Sequence, residues 1–182
     1  MQNHNHDNIE RINRVNFRAS LEAMARPGQL QQVQPLFDSI LRAMAGMLLY
    51  SEVSYWYEGR EDFQMIQAIC GAKSSGITEA DYLFYDQPER NILVQAKVGT
   101  AEQPELGATL LFRCRDLDGT GVILSGPGIK TTLRTSLPVD TDFISLLQEK
   151  NEVFPMGVDL FFLSDAGQLL GLPRTTQIEV TP

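Results

Sequence analysis

The chain has 182 residues, 43% hydrophobic and 21% charged, the balance of a globular protein and not of a disordered one. Its net charge of −8 argues against a nucleic-acid binder, since phosphate neutralisation supplies most of that affinity and no run of three basic residues occurs. The length suits one domain: residues 1–12 read as a polar, disordered tail and residues 13–182 as a single α/β domain.

The opening MQNHNHDN is neither basic nor apolar, so it does not read as a signal peptide. In NFRASLEAMARPG, Asn16 is placed to cap a helix on which Phe17, Leu21 and Met24 share one apolar face. Pro27 forbids continuation and Gly28 turns the chain away. QLQQVQPL is a short extended connection. DSILRAMAGMLLYSE is a second helix, opened by Asp38 or Ser39, and apolar around most of its circumference, which implies deep burial. Its longest apolar run, AMAGMLLY (43–50), is too short to cross a bilayer.

SEVSYWYE has the aromatic and β-branched content of a strand, and a third helix covers roughly residues 60–70 before the loop GAKSSG. DYLFYD is a short strand closed by Pro88, and a weak helix follows within 87–100. In GATLLFRCRDL, Ala108, Leu110, Phe112 and Cys114 alternate onto one face of a strand. The turn at Asp118-Gly119 and the run GVILSG then suggest its hairpin partner. DFISLLQEK is a further helix, with Phe143, Leu146, Leu147 and Lys150 at helical spacing. Helices alternate with strands early and hairpins come late, which implies a mixed sheet with helices on both faces.

Few chemical motifs survive scrutiny. SGPGIKTT (125–132) lacks the consecutive Gly-Lys-Ser/Thr of a phosphate loop, since Ile129 separates Gly128 from Lys130, and it reads as a strand-ending turn. The only histidines, His4 and His6, lie in the tail, so no Ser-His or Cys-His triad can form. No zinc spacing exists, and Asp81, Asp86, Asp116 and Asp118 occupy turns, where aspartate is ordinary. Cys70 and Cys114 both read as small buried hydrophobes, and a reducing cytosol suits them.

The C-terminal stretch FPMGVDLFFLSDAGQLLGLPRTTQIEV is more informative. Two apolar strands flank a turn at Ser164–Gly167. A loop from Asp165 to Gln168 sets Ser164 opposite Leu169 and Asp159 opposite Arg174. An Asp159–Arg174 ion pair would then satisfy a carboxylate otherwise isolated between Val158 and the phenylalanines. Thr175 and Thr176 stay unexplained by that pair.

Taken together, FRASLEAMARPG, ELGATLLF, LSGPGI, FPMGVDLFFL and GLPRTTQIEV, in this order, resemble the H subunit of carbon–phosphorus lyase systems, the PhnH family. The resemblance implies a cytoplasmic protein of bacterial phosphonate breakdown, working with the G, I and J subunits of a core complex and forming homodimers. It implies a three-layer αβα sandwich like the large domain of pyridoxal-phosphate-dependent transferases, without that cofactor. The four lysines, Lys73, Lys97, Lys130 and Lys150, sit in no recognisable cofactor motif, and no catalytic residue or metal is carried over.

Two functions follow as expectations. The first is a non-catalytic assembly subunit. The second is an accessory subunit holding a phosphonate or nucleotide phosphate, with Arg174 as a bidentate cation and Thr175, Thr176 and amides near Gly126 and Gly128 as further donors.

Overall fold

The computed structural model describes residues 2–181; the side chains of His4 and His6 lie outside the described residues. Helix α1 runs Gln2–Ala25, so it begins well ahead of Asn16 and takes in the segment read as a tail. Apolar packing explains the extension: Ile12 is buried and, with Ile9, lies against Leu36, Phe37 and Ala43. Asn16 is not a cap. It is fully buried in mid-helix, where its amide donates to the Gln34 carbonyl at 2.8 Å and accepts from the Gln34 N–H at 2.8 Å. The helix does end before Pro27, and Gly28 takes φ of 80°, a left-handed conformation that glycine adopts without strain.

The face that α1 buries is also not the expected one. Asn16, Ala19, Ser20 and Ala23 turn inward, while Phe17 and Leu21 stand 51% and 55% exposed. Small residues win the inner face because the helix lies directly on a strand: a Cβ on Gly171 would sit 2.7 Å from the Ala23 carbonyl oxygen. Helix α2 (Ile40–Leu48) is capped by Ser39, whose hydroxyl accepts from the Arg42 N–H at 3.0 Å. Leu41, Ala43, Met44 and Ala45 are buried in it, as its apolar circumference requires.

Seven strands form the main sheet, in the order β1-β9-β8-β5-β4-β2-β3. They are β1 (Gln31–Gln32), β2 (Ser54–Glu58), β3 (Lys73–Ser74), β4 (Tyr82–Tyr85), β5 (Thr109–Cys114), β8 (Asp159–Ser164) and β9 (Gln168–Leu172). The pairs β3–β2, β2–β4, β4–β5 and β5–β8 are parallel, whereas β8–β9 and β9–β1 are antiparallel. This is the mixed sheet that the element pattern suggested. The second sheet, β10-β6-β7, is wholly antiparallel and consists of β6 (Thr120–Ser125), β7 (Leu133–Leu137) and β10 (Gln177–Val180).

The hairpin expected between β5 and β6 does not form. Strand β5 is paired on both edges, by β4 and by β8, and so offers no edge to β6. The Asp118-Gly119 turn instead carries the chain out to the second sheet.

Alternation in the parallel strands separates two cores. Leu83, Leu110, Phe112, Leu160 and Phe162 face one side, and Phe84, Leu111, Phe161 and Leu163 the other. The second side is covered by α1, α2 and α3 (Gln64–Cys70), through Ala19, Met44 and Ile66. The first is covered by α4 (Arg90–Gln95), α5 (Thr141–Lys150) and the small sheet, through Leu93, Ile144, Leu124 and Ile178. Ala108, Leu110, Phe112 and Cys114 share that first core.

Candidate functional site

The turn joining β8 to β9 is three residues long, Asp165-Ala166-Gly167, one shorter than the spacing suggested. Gly167 takes φ of 81° and donates its N–H to the Ser164 carbonyl at 2.9 Å, closing the turn a residue early. The register therefore slips by one: Leu163 faces Leu169 and Leu160 faces Leu172, so Arg174 is not the cross-strand neighbour of Asp159.

The two charges meet nonetheless. Strand pairing stops at Leu172, and Pro173 opens a turn in which the Thr176 N–H donates to the Pro173 carbonyl at 2.9 Å. Freed from the ladder, Arg174 folds back over the start of β8. Its backbone N–H and Nε donate to Asp159 Oδ1 at 2.8 and 3.3 Å, and its Nη2 donates to Oδ2 at 2.6 Å. Nη1 donates to the Pro104 carbonyl at 2.6 Å, in the 3-10 turn Pro104–Leu106 before β5. The Arg174 side chain is 13% exposed and that of Asp159 25%.

Around the guanidinium the backbone leaves no slack. A Cβ on Gly107 would fall on the Gly157 carbonyl oxygen and within 2.8 Å of Arg174 Nη1. Asn151, at the end of α5, holds the same place by pairing its amide with Val158, donating at 3.1 Å and accepting at 2.8 Å.

Beside this corner lies a cleft of about 680 Å³ whose lining includes Arg174, Thr175, Thr176, Pro127, Glu149 and Glu152. Gly126 does not line it but packs against the same turn: a Cβ there would lie 2.9 Å from the Thr175 carbonyl oxygen, and φ is 120°. Gly128 lies farther off, its turn seated on the end of α1 against the Ala25 carbonyl oxygen. Thr176 Oγ1 is buried without a partner among the described residues. The electrostatics suit fastening better than anion capture. Three of the guanidinium's nitrogens already donate to protein oxygens, and the other charged groups lining the cleft are the carboxylates of Glu149 and Glu152.

Sequence reasoning missed a second cluster, at the carboxyl ends of the parallel strands. Arg113, at the end of β5, donates Nε to Asp165 Oδ1 at 2.6 Å, and its Nη1 lies 3.4 Å from Glu61 Oε1. The bond to Asp165 pushes the Arg113 pKa up further. Glu61 Oε2 accepts from Arg42 Nε at 3.0 Å and from the Ser39 hydroxyl that caps α2. One carboxylate thus ties α2 and β5 to the connection between β2 and α3. Next to it, the Tyr57 hydroxyl donates to Asp86 Oδ1 at 3.1 Å and accepts from the Glu61 N–H at 2.8 Å. Burial above all pushes the Tyr57 phenol up to about 12. The signal was a charge directly after each apolar run, in YWYEGRED, LFYDQ, FRCRD and FLSD. It becomes legible only once those strands are known to be parallel and their ends to converge.

At the opposite edge, Asp81 accepts from the Ser54 N–H at 2.7 Å, the Ser54 hydroxyl at 2.8 Å and Lys97 Nζ at 2.6 Å. Burial alone would raise its pKa, but these donors outweigh it and hold the carboxyl below the ordinary value of 3.8. Asp81 is a clamp between β2 and β4 as well as a turn residue.

No curated protein matches the chain. A family model does: PhnH, described as bacterial phosphonate metabolism protein, matches residues 6–179. That span takes in both sheets but for Val180 at the end of β10, together with the Asp159–Arg174 corner and the charged strand ends, and the chain accordingly belongs to the PhnH family of bacterial phosphonate metabolism.

Proposed function

We propose that the chain is a non-catalytic assembly subunit of a carbon–phosphorus lyase core complex, docking on itself and on the G, I and J subunits in the bacterial cytoplasm. The observation that carries this reading is the outer surface of the helical layer. On α1, Phe17 and Leu21 are exposed four residues apart, and on α3 so are Met65 and Ile69, at 44% and 58%. An apolar stripe of this spacing ordinarily faces a core, and here two of them face outward, one on each flank of α2.

The chemistry at the two strand edges supports the same reading. Lys97 is held by Asp81, and Lys150 donates to the Val94 carbonyl at 2.9 Å. Each of them precedes a parallel strand, β5 or β8, and so lies toward the amino edge of the sheet. Ligands of α/β sheets bind at the carboxyl edge, and the placing of these two amines supports reading the scaffold as one used without an aldehyde cofactor. The fold relation to pyridoxal-phosphate-dependent transferases belongs to this proposal as well, as that of a scaffold used without the cofactor. The anion-holding reading of Arg174, Thr175 and Thr176 is set aside, since the corner cleft is lined by carboxylates and its arginine is engaged.

Reconstitution tests the proposal. The G, I and J subunits, expressed without this chain, should fail to form a stable complex, and adding the folded chain should restore it. Full assembly and phosphonate turnover without the chain would contradict the reading.

A further inference from the structure

The connections leaving adjacent parallel strands part company at one place. After β2 the chain passes to α3, whose Ile66 lies in the core under α1 and α2. After β4, the neighbour of β2, it passes to α4, whose Ile92 and Leu93 lie in the core on the other face. Neighbouring strands whose carboxyl ends send the chain to opposite faces leave a crevice between them, and ligands of open α/β sheets bind in that crevice.

A cleft of about 460 Å³ opens there, lined by Arg60 after β2, Asp86 after β4, Arg113 from β5, and Arg115, Asp116 and Asp118 beyond it. Its volume falls within the range of small-molecule sites. Its base is fixed, because Asp86 accepts from both the Arg60 N–H at 2.9 Å and the Tyr57 hydroxyl. Most of its charges already have partners: Arg113 with Asp165, and Arg115 with Asp116 at 3.0 Å. Two do not. Among the described residues the Arg60 guanidinium and the Asp118 carboxylate have no side-chain partner, Asp118 entering only through its backbone N–H.

We propose that this crevice binds a small zwitterion, its acid group on Arg60 and its ammonium group on Asp118. A simple anion would satisfy the guanidinium but meet the surrounding aspartates, and a simple cation would leave Arg60 bare. A molecule carrying both charges satisfies both groups, and guanidinium forks match phosphonate and carboxylate oxygens alike. Cys114, also on the cleft wall, is buried, and burial first and then the nearby Asp116 and Asp165 push its thiol up to about 12. The site is therefore one for holding a ligand and not for thiolate attack. The inference stands apart from the assembly reading.

Isothermal titration of the purified full chain tests it with four probes: 2-aminoethylphosphonate, β-alanine, ethylphosphonate and ethylamine. Saturable binding is expected for one or both zwitterions, at least tenfold tighter than for either singly charged compound, because each lost end removes a charge-assisted contact. Preference between the two zwitterions identifies the acid group as phosphonate or carboxylate. Arg60→Gln and Asp118→Asn, both exposed and expected to melt with the wild type, should each weaken binding about tenfold. No saturable binding of either zwitterion, equal binding of ethylphosphonate or ethylamine, or binding untouched by both substitutions would overturn the proposal.

Discussion

Arg174 and Asp159 are joined by three donor contacts although they are not cross-strand neighbours, because Arg174 lies beyond the last paired residue of β9 and folds back over β8. The pair therefore locks the end of a hairpin that strand pairing leaves open. Arg174→Met should cost about 2–3 kcal/mol, toward the low side for a buried pair because both side chains keep some solvent. At this chain length that corresponds to a fall in Tm of about 5–10 °C. Calorimetry checks it, and Asp159→Asn added to Arg174→Met should recover part of the loss. Unchanged melting of the single variant would show that the pair contributes nothing.

Gly107 belongs to the same lock. An added methyl group would displace the Gly157 carbonyl or the guanidinium, so Gly107→Ala should destabilise the chain by an amount similar to that of Arg174→Met. The double variant should cost clearly less than the two single costs added together, since each breaks the same contact. Strict additivity in denaturant melts would separate the two residues.

Asp81 gives stability a pH dependence of known sign. Its folded pKa lies below the ordinary value of 3.8, so the folded state binds the proton less readily than the unfolded one. The contribution is fully present above that ordinary value and is lost as pH falls through the folded pKa. Wild type and Asp81→Asn should therefore differ most above pH 5 and converge toward pH 3, as read by urea melts across that range. A gap that widened on acidification would have the wrong sign.

Cys114 is buried, and its thiol is raised to about 12, so it should resist alkylation in the native state. Cys70 is only half-buried. A thiol titration at pH 8 should count about one reactive group before unfolding and two after, and none before unfolding in Cys70→Ser. Rapid native labelling of Cys114, mapped by mass spectrometry, would show the first core to be open.

Periodicity made the element types legible. The Pro27 stop, the helix start at Asp38 or Ser39, where Ser39 is the cap, and the one-sided face of β5 depend on local geometry, which spacing records. Strand partners were not legible in the same way. Whether β6 pairs with β5 depends on β4 and β8 occupying both edges, and those are residues far away in sequence. The register of β8–β9 turned on a single residue, Gly167, whose left-handed conformation shortens the loop. The stripe on α1 misled for a different reason. Of Phe17, Leu21 and Met24, which form a regular apolar face, only Met24 packs against the core, because the helix lying close on Gly171 turns its small residues inward there. Sequence shows that a face is apolar, not whether its own chain covers it.

That outward face is where the central claim is most directly exposed. The double variant Phe17→Asp, Leu21→Asp replaces two exposed side chains and should leave the circular dichroism and the melting temperature near those of the wild type. Co-purified with the G, I and J subunits, it should drop out of the complex, and the self-associated form of the isolated chain should be lost or weakened. If the folded variant still assembles as well as the wild type, with Met65→Asp and Ile69→Asp added, the helical layer is not the docking surface.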